Sequence, residues 1–241
     1  MHILVIDGGH VEAEFREKFG PGHEYRFFYS DGYGIKGWDK FANGVGGDAL
    51  ATDVAFCFSK PSHSPDVYNL LGGLNCPVFF EVAWHSVALS KSEYSDGDFK
   101  GTVFGFCGLP TLLNRPLLEV SLYHEADREK LAATCAVLGT DYRVVADRVG
   151  LVTPRVICMI INEACFTVQE GTATMQDVDL GMKLGTNYPR GPFAWANAIG
   201  VARVYAVLEA MWDDTHDERY KVCPLLKRQA LRGEPFNLLS S

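Results

Sequence analysis

The sequence predicts an α/β unit built on a mostly parallel sheet, followed by an all-α unit. Three observations carry this reading. Short, nearly continuous apolar runs recur between turn signals through the first half, helix-forming stretches lie between them, and from Thr153 onward the periodicity is helical without strand signals. Strands covered on both faces by helices lose the alternation of inward and outward residues, so unbroken apolar runs of strand length favour a parallel sheet.

Five runs open the first half as strands: His2 to Ile6 (HILVI), Tyr25 to Tyr29 (YRFFY), Val54 to Phe58 (VAFCF), Pro77 to Val82 (PVFFEV) and Gly101 to Phe106 (GTVFGF). Helices are expected at Val11 to Phe19 and Pro65 to Leu71, stopped by Gly20-Pro21-Gly22 and Gly72-Gly73. A strand over Leu117 to Tyr123, a helix over Ala126 to Leu138 and a strand over Tyr142 to Val145 complete this unit. In the second half, Pro154 suits a helix's first turn, and Val156, Ile157, Ile160, Ile161, Ala164, Cys165 and Val168 form a broad apolar face before Gly171. Thr174 and Asp177 have capping-box spacing for a helix ending at Gly185. Further helices are expected from Pro192, over Val201 to Trp212, and over Pro224 to Leu231 before Gly233. The boundary is placed near Asp147 to Val152, giving units 1–149 and 150–241.

Composition narrows the function classes. The 241 residues carry 22 Lys plus Arg against 30 Asp plus Glu, a net charge of −8, with 47% hydrophobic residues. This is ample for a buried core, and an acidic balance without a Lys/Arg run argues against nucleic-acid or anionic-membrane surfaces. No apolar run approaches the roughly 18 residues needed to span a bilayer, so a cytoplasmic protein is expected. Seven cysteines without C-x-x-C spacing read as reduced, mostly buried thiols, and no metal site is expected.

Several motifs then carry a resemblance. Gly150-Leu-Val-Thr-Pro-Arg155, Asn162-Glu-Ala164, Glu170-Gly171, Asp177-Val-Asp-Leu-Gly-Met-Lys-Leu-Gly185, Asn187-Tyr-Pro-Arg-Gly-Pro-Phe193, Arg219-Tyr220 and Pro224-Leu-Leu226 follow one another in fixed order. In order and spacing they resemble the helical C-terminal domain of the 3-hydroxyacyl-CoA dehydrogenases. The resemblance implies a Rossmann-like first unit, an NAD cofactor, an acyl-CoA cleft to which the helical domain contributes, and a homodimer formed through that domain. It also implies a place in fatty-acid metabolism. Asn187, Tyr188 and Arg190 fall on the turn at the mouth of the family's acyl cleft, where Arg190 would attract a carboxylate or phosphate. The alternative for this turn is a rigid connection between two helices. Phe193, Trp195, Tyr205 and Trp212 read as core and dimer interface.

The first unit departs from the family's pattern. A dinucleotide-binding turn needs G-x-G-x-x-G after the first strand, for the tight turn, for backbone approach to pyrophosphate and for helix packing. Here the run is Asp7-Gly-Gly-His-Val-Glu12, with Gly9 at the middle position and Asp7 and Glu12 at the outer two. Facing pyrophosphate, each carboxylate would cost about 1 kcal/mol at 4 Å in water and about 4 kcal/mol at an effective dielectric of 20; the alternative for Glu12 is a charge favourable to its own helix N-terminus. Gly8, Gly9 and Asp31, the last a candidate for the ribose or simply a turn residue before Gly32, are the remaining cofactor candidates, and binding is expected to be lost. Residues 32 to 52, Gly-rich around Trp38, are also short for the family's helical excursion.

The catalytic segment has changed as well. The family's His-x-x-Asn-Pro base segment and its Leu-Val-Glu-Val partner align without gaps on Gly105 to Val120. Glu119 falls on the carboxylate that orients the base, Cys107 falls on the base and Pro110 on the following Asn. Pro154 replaces a further Asn, and proline has no side-chain donor or acceptor. His85, beside Ser86, offers a relocated base or a turn and helix-cap pair, and Cys107 reads as either a nucleophile or a small buried residue. Three functions stay open: a pseudoenzyme that binds an acyl-CoA or small carboxylate as a homodimeric scaffold, an active nicotinamide-linked dehydrogenase with an altered site, and a different enzyme using Cys107, His85 or Glu119.

Overall fold

A computed structural model describes residues 1–30, 51–59, 67, 71–92 and 99–238. Asp31, the Gly-rich run 32–50 with Trp38, and most of the helix expected over Pro65 to Leu71 lie outside the described residues. The chain divides into two compact units, residues 1–108 with 112–151, and residues 109–111 with 152–241. The short Leu109–Thr111 segment belongs to the second unit although it lies far upstream of Val152. Trp195 Nε1 donates to Thr111 Oγ1 at 2.9 Å within that unit.

The first unit is a Rossmann-like sheet of seven strands: β1 (His2–Ile6), β2 (Glu24–Phe28), β3 (Val54–Cys57), β4 (Val78–Glu81), β5 (Val103–Phe106), β6 (Leu117–Leu122) and β7 (Asp141–Val145), in the order β2-β1-β3-β4-β5-β6-β7. Helices α1 (Glu12–Phe19), α2 (Val87–Ser92) and α3 (Arg128–Leu138) lie between them in sequence. Every pairing is parallel except β5 with β6. The exception has a physical cause. A parallel crossover needs a dozen or more residues, and residues 107–116 joining these strands are too few and form no helix.

Phenylalanine side chains hold this sheet. Phe56, Phe79 and Phe104 sit side by side in register on β3, β4 and β5. Their ring centroids are 4.8 and 5.0 Å apart, and Phe15 of α1 meets Phe56 edge-on at 4.9 Å. Aromatic pairs of this kind add about 1 kcal/mol each beyond the area they bury. On the outer side of α1, Arg16 pairs with Glu12 and lies over the Tyr25 and Phe27 rings.

Beside the sheet, Gly105 faces Ser121 in the antiparallel pair. A methyl group at Gly105 would come within 2.4 Å of Ser121 Oγ and 2.5 Å of Val87. The space lets Ser121 donate to Asp147, whose carboxylate also accepts the Val87 and Ala88 N–H groups at the start of α2.

The second unit contains α4 (Thr153–Gln169), α5 (Met175–Gly185), α6 (Pro192–Ile199), α7 (Val201–Thr215) and α8 (Pro224–Arg232). Proline occupies the first turn of α4, α6 and α8, and the Thr174/Asp177 capping box forms at α5. The buried face of α4 is narrower than its apolar sequence suggests: Ile157, Cys158, Ile161, Asn162, Ala164 and Cys165 are buried, whereas Val156 is exposed. On α7 one face is buried, through Val201, Val204, Val207, Leu208 and Met211. Among the described residues, no helix is long and apolar enough to cross a membrane.

Two outcomes follow from this packing. Gly105→Ala should lower stability by about 2 kcal/mol in denaturant titration, because the added methyl overpacks a buried contact. All seven cysteines are buried, and burial pushes the Cys57, Cys135 and Cys158 thiols up to about 12 and Cys76 up to about 11. Raised thiols stabilise the folded state fully below the ordinary value of 9.0 and lose that contribution as pH climbs toward their folded values. The denaturant midpoint should therefore fall steadily between about pH 9 and pH 12, and replacing Cys57 with Ala should flatten that fall.

Candidate functional site

Open α/β sheets bind ligands beyond the carboxyl ends of their strands, where the strand order reverses. In this chain that place is the end of β1, flanked by β2 and β3. Asp7 leaves β1 in the left-handed region, φ 56°, which glycine enters at no cost and aspartate tolerates better than most residues. Its backbone N–H donates to the Phe28 carbonyl at 2.9 Å. Its carboxylate accepts the Ser30 N–H at 2.7 Å and the Ser30 hydroxyl at 2.6 Å, and also the Ser59 hydroxyl. One side chain thus ties the residues that follow β2 and β3 to the end of β1.

For Asp7 this corrects the expectation of a carboxylate turned toward a bound phosphate, whereas Glu12 sits in the first turn of α1, as the helix N-terminus reading expects. Asp7 is turned to Ser30 and Ser59, and Glu12 is held by Arg16 at 2.8 Å on α1. The two candidate glycines are packed by the chain itself. A Cβ at Gly8 would lie 2.5 Å from Val5 Cγ1 and 2.9 Å from the Phe58 ring, and one at Gly9 would lie 2.5 Å from the Tyr29 ring. Phe58 also fills the space beside Gly108, where an added Cβ would lie 2.5 Å from its ring.

Cys107 and Glu119 are neighbours. The Cys107 N–H points to the Glu119 carbonyl at 3.4 Å, just beyond the last register pair of β5 and β6, and Cys107 is only 3% exposed. Glu119 is half-buried, opposite Arg143 on β7. His85 is buried between β4 and α2, at 4% exposure, and Ser86 accepts the Leu89 N–H as the cap of α2. Glu81, 1% exposed at the end of β4, accepts the Ala83 N–H at 3.0 Å. Sequence reasoning passed over Glu81, although a carboxylate closing an otherwise apolar strand run was the available signal. It likewise missed that Asp147 and Asp179 cap helices.

In the second unit the family-like motifs are joints. The Asp179 carboxylate accepts the Phe193 and Ala194 N–H groups at the start of α6, and a Cβ at Gly191 would come within 2.2 Å of that carboxylate. Asn187 adopts φ 55°, Tyr188 meets Trp195 edge-on at 6.3 Å, and Asn187 and Arg190 are exposed. Arg155 donates to the Tyr220 hydroxyl, and buried Asn162 bonds both the Lys221 carbonyl and the Cys223 N–H. Phe193 and Trp195 are core residues, while Tyr205 lies beneath Lys227 and Trp212 stacks on His216.

An open groove of about 740 Å³, lined by Lys18, Arg115, Cys135, Thr140 and Asp141 among others, contains none of the candidate residues. Burial lowers the Lys18 pKa against a smaller opposing effect of Asp141, and its ammonium donates to the Arg115 and Pro116 carbonyls.

Removing the Asp7 carboxylate deletes all three of its hydrogen bonds, so Asp7→Ala should cost about 2 kcal/mol in denaturant titration. Cys107 should react with iodoacetamide at pH 7.5 far more slowly than a free thiol, as mass spectrometry of the labelled peptide would record; labelling at the free-thiol rate would instead mark it as an accessible nucleophile.

Comparison with known proteins agrees with the order of these elements. Residues 150–235 match the family model described as 3-hydroxyacyl-CoA dehydrogenase, C-terminal domain. The chain is 44% identical over 87 residues to the 3-hydroxyadipyl-CoA dehydrogenase of Escherichia coli K12, covering 36% of this chain and 18% of that protein. It is 39% identical over 89 residues to a probable 3-hydroxybutyryl-CoA dehydrogenase of Bacillus subtilis, covering 37% of this chain and 31% of the relative. The aligned stretch thus spans less than a third of either relative's length. The fold extends further. The crystal structure of (S)-3-hydroxybutyryl-CoA dehydrogenase from Ralstonia eutropha superposes with a TM-score of 0.68 at 21% identity, covering 96% of this chain and 94% of that one. FadB2 of M. tuberculosis superposes with a TM-score of 0.71 at 15% identity, covering 96% and 93%. Residues 150–235 are thus similar to the C-terminal domain of the 3-hydroxyacyl-CoA dehydrogenases, while the rest of the chain shares their fold.

Proposed function

We propose that this chain is a homodimeric acyl-CoA or carboxylate-binding relative of the 3-hydroxyacyl-CoA dehydrogenases that does not transfer hydride to a nicotinamide. The observation that carries this reading is the residue in the base position. Hydroxyl oxidation needs a tuned general base within hydrogen-bond reach of the substrate. At the position aligned with that base, the side chain is the buried thiol of Cys107, with Glu119 beside it on the next strand. The cofactor turn supports the same reading. The residues present fit a dinucleotide poorly, because the close approach at Gly9 is taken up by Tyr29, and Asp7 adds a negative charge.

The helical unit supports ligand binding and pairing. Arg190 is an exposed cation on the turn that matches the family's cleft mouth. On α5, Leu180 and Leu184 lie one turn apart, 57% and 77% exposed. An exposed apolar stripe of this kind favours burial against another protein surface, here a second copy of the chain. A cytoplasmic location and a role in acyl-CoA metabolism are in keeping with seven buried cysteines outside any disulfide and with the names of the matched relatives.

Calorimetry decides the ligand question. Acetoacetyl-CoA is expected to bind while NAD⁺ and NADH give no binding heat; micromolar NADH affinity would replace this reading with an active dehydrogenase. In sedimentation at micromolar concentration the chain should run as a dimer and Leu184→Glu as a monomer. A monomeric native chain would refute the pairing.

A further inference from the structure

Resting on the reading above that no nicotinamide is used, we infer that the crevice at the end of β1 is covered by the chain's own Tyr29 ring, itself 45% exposed, in the place where a dinucleotide's pyrophosphate would approach the backbone. The glycine turn of a dinucleotide fold serves an outside ligand: its middle glycine leaves the backbone bare so that phosphate oxygens can reach it and the N–H groups of the following helix. Here each part of that arrangement has an internal occupant. Tyr29, the residue after β2, lays its ring against Gly9 so closely that an added Cβ would sit 2.5 Å from Cε1 and 3.0 Å from the hydroxyl. At Gly8 an added Cβ would meet Val5 Cγ1 at 2.5 Å and the ring of Phe58, the residue after β3, at 2.9 Å. The Phe58 ring also meets His10 edge-on at 5.6 Å.

The charges follow the same pattern. The first turn of α1 carries Glu12 and Glu14, which complement the positive end of the helix as a phosphate otherwise would. The Asp7 carboxylate takes the Ser30 N–H and the Ser30 and Ser59 hydroxyls, donors of the kind that hold phosphate oxygens at such a crevice. Gly8 is thus required for packing against Val5 and Phe58, and Gly9 lets the Tyr29 ring lie on the exposed turn. Gly9 holds the middle position of the turn although an aromatic side chain stands where its ligand would approach, and Tyr29 becomes the residue that excludes a dinucleotide.

A double-mutant cycle on the full chain tests this, read by thermal unfolding and by NADH fluorescence titration. Gly9→Ala is expected to lower the melting midpoint by about 3 °C in the native background and by much less in Tyr29→Ala, where the opposing ring is gone. An equal loss in both backgrounds overturns this covering, because the methyl would then meet something other than Tyr29. NADH is expected to bind the native chain more weakly than about 1 mM and Tyr29→Ala at least about tenfold more tightly. A folded Tyr29→Ala chain with native NADH affinity overturns the excluding role of Tyr29 while leaving the absence of nicotinamide chemistry intact. Micromolar NADH binding by the native chain overturns both. Should Tyr29→Ala not fold, Tyr29→Leu provides the same comparison with part of the packing retained.

Discussion

The Asp7 carboxylate is the constraint around which the first unit is arranged. β1 ends between β2 and β3, and the chain must turn sharply there into α1. The turn uses a left-handed residue, and because that residue is aspartate its side chain can reach the serines beyond both neighbouring strands. A glycine would make the same turn with less strain but could not bridge those segments. The bridge sets where Tyr29 and Phe58 emerge, since each immediately precedes one of the bonded serines. Packing at Gly8 and Gly9 is thereby coupled to the hydrogen bonds of Asp7.

A related pattern occurs in both units at helix starts: a carboxylate meets two backbone N–H groups, and a glycine leaves room nearby. Asp147 holds the start of α2 through the gap beside Gly105, and Asp179 holds the start of α6 against Gly191. Helix starts present unsatisfied N–H groups, and an anionic acceptor answers both the hydrogen-bonding and the dipole requirement. The motif Asp177 to Gly185 and the turn Asn187 to Phe193 therefore have a structural explanation that does not require a ligand. Asn162 and Arg155 similarly join α4 to the segment before α8.

The two units differ in what their likeness to the dehydrogenases rests on. In residues 150–235 the likeness resides in sequence, because the joints depend on particular side chains at fixed separations. In the first unit it resides in the fold, because a parallel sheet needs only apolar runs, turns and crossovers of adequate length. A sheet can keep its topology while the residues at its carboxyl edge change function, which is why fold alone does not assign chemistry here.

The amino-acid sequence by itself determined most of the elements. The strands at His2, Val54 and Leu117 and the helices opened by Pro154, Pro192 and Pro224 were legible, because their apolar periodicity, caps and proline positions are local properties. Cys107 and Glu119 were singled out separately by the alignment; the fold adds that Cys107, just past β5, meets Glu119 of β6 through the backbone. What only the tertiary structure decided is where polar side chains point. Asp7 and Glu12 carry the same charge sign in sequence, yet one turns toward serines 23 and 52 residues away and the other toward Arg16 on its own helix. The antiparallel turn into β6, the burial of Glu81 and the approach of Tyr29 to Gly9 are likewise contacts between distant segments. Such contacts are set by which strands become neighbours, and a local pattern of residues does not contain that information.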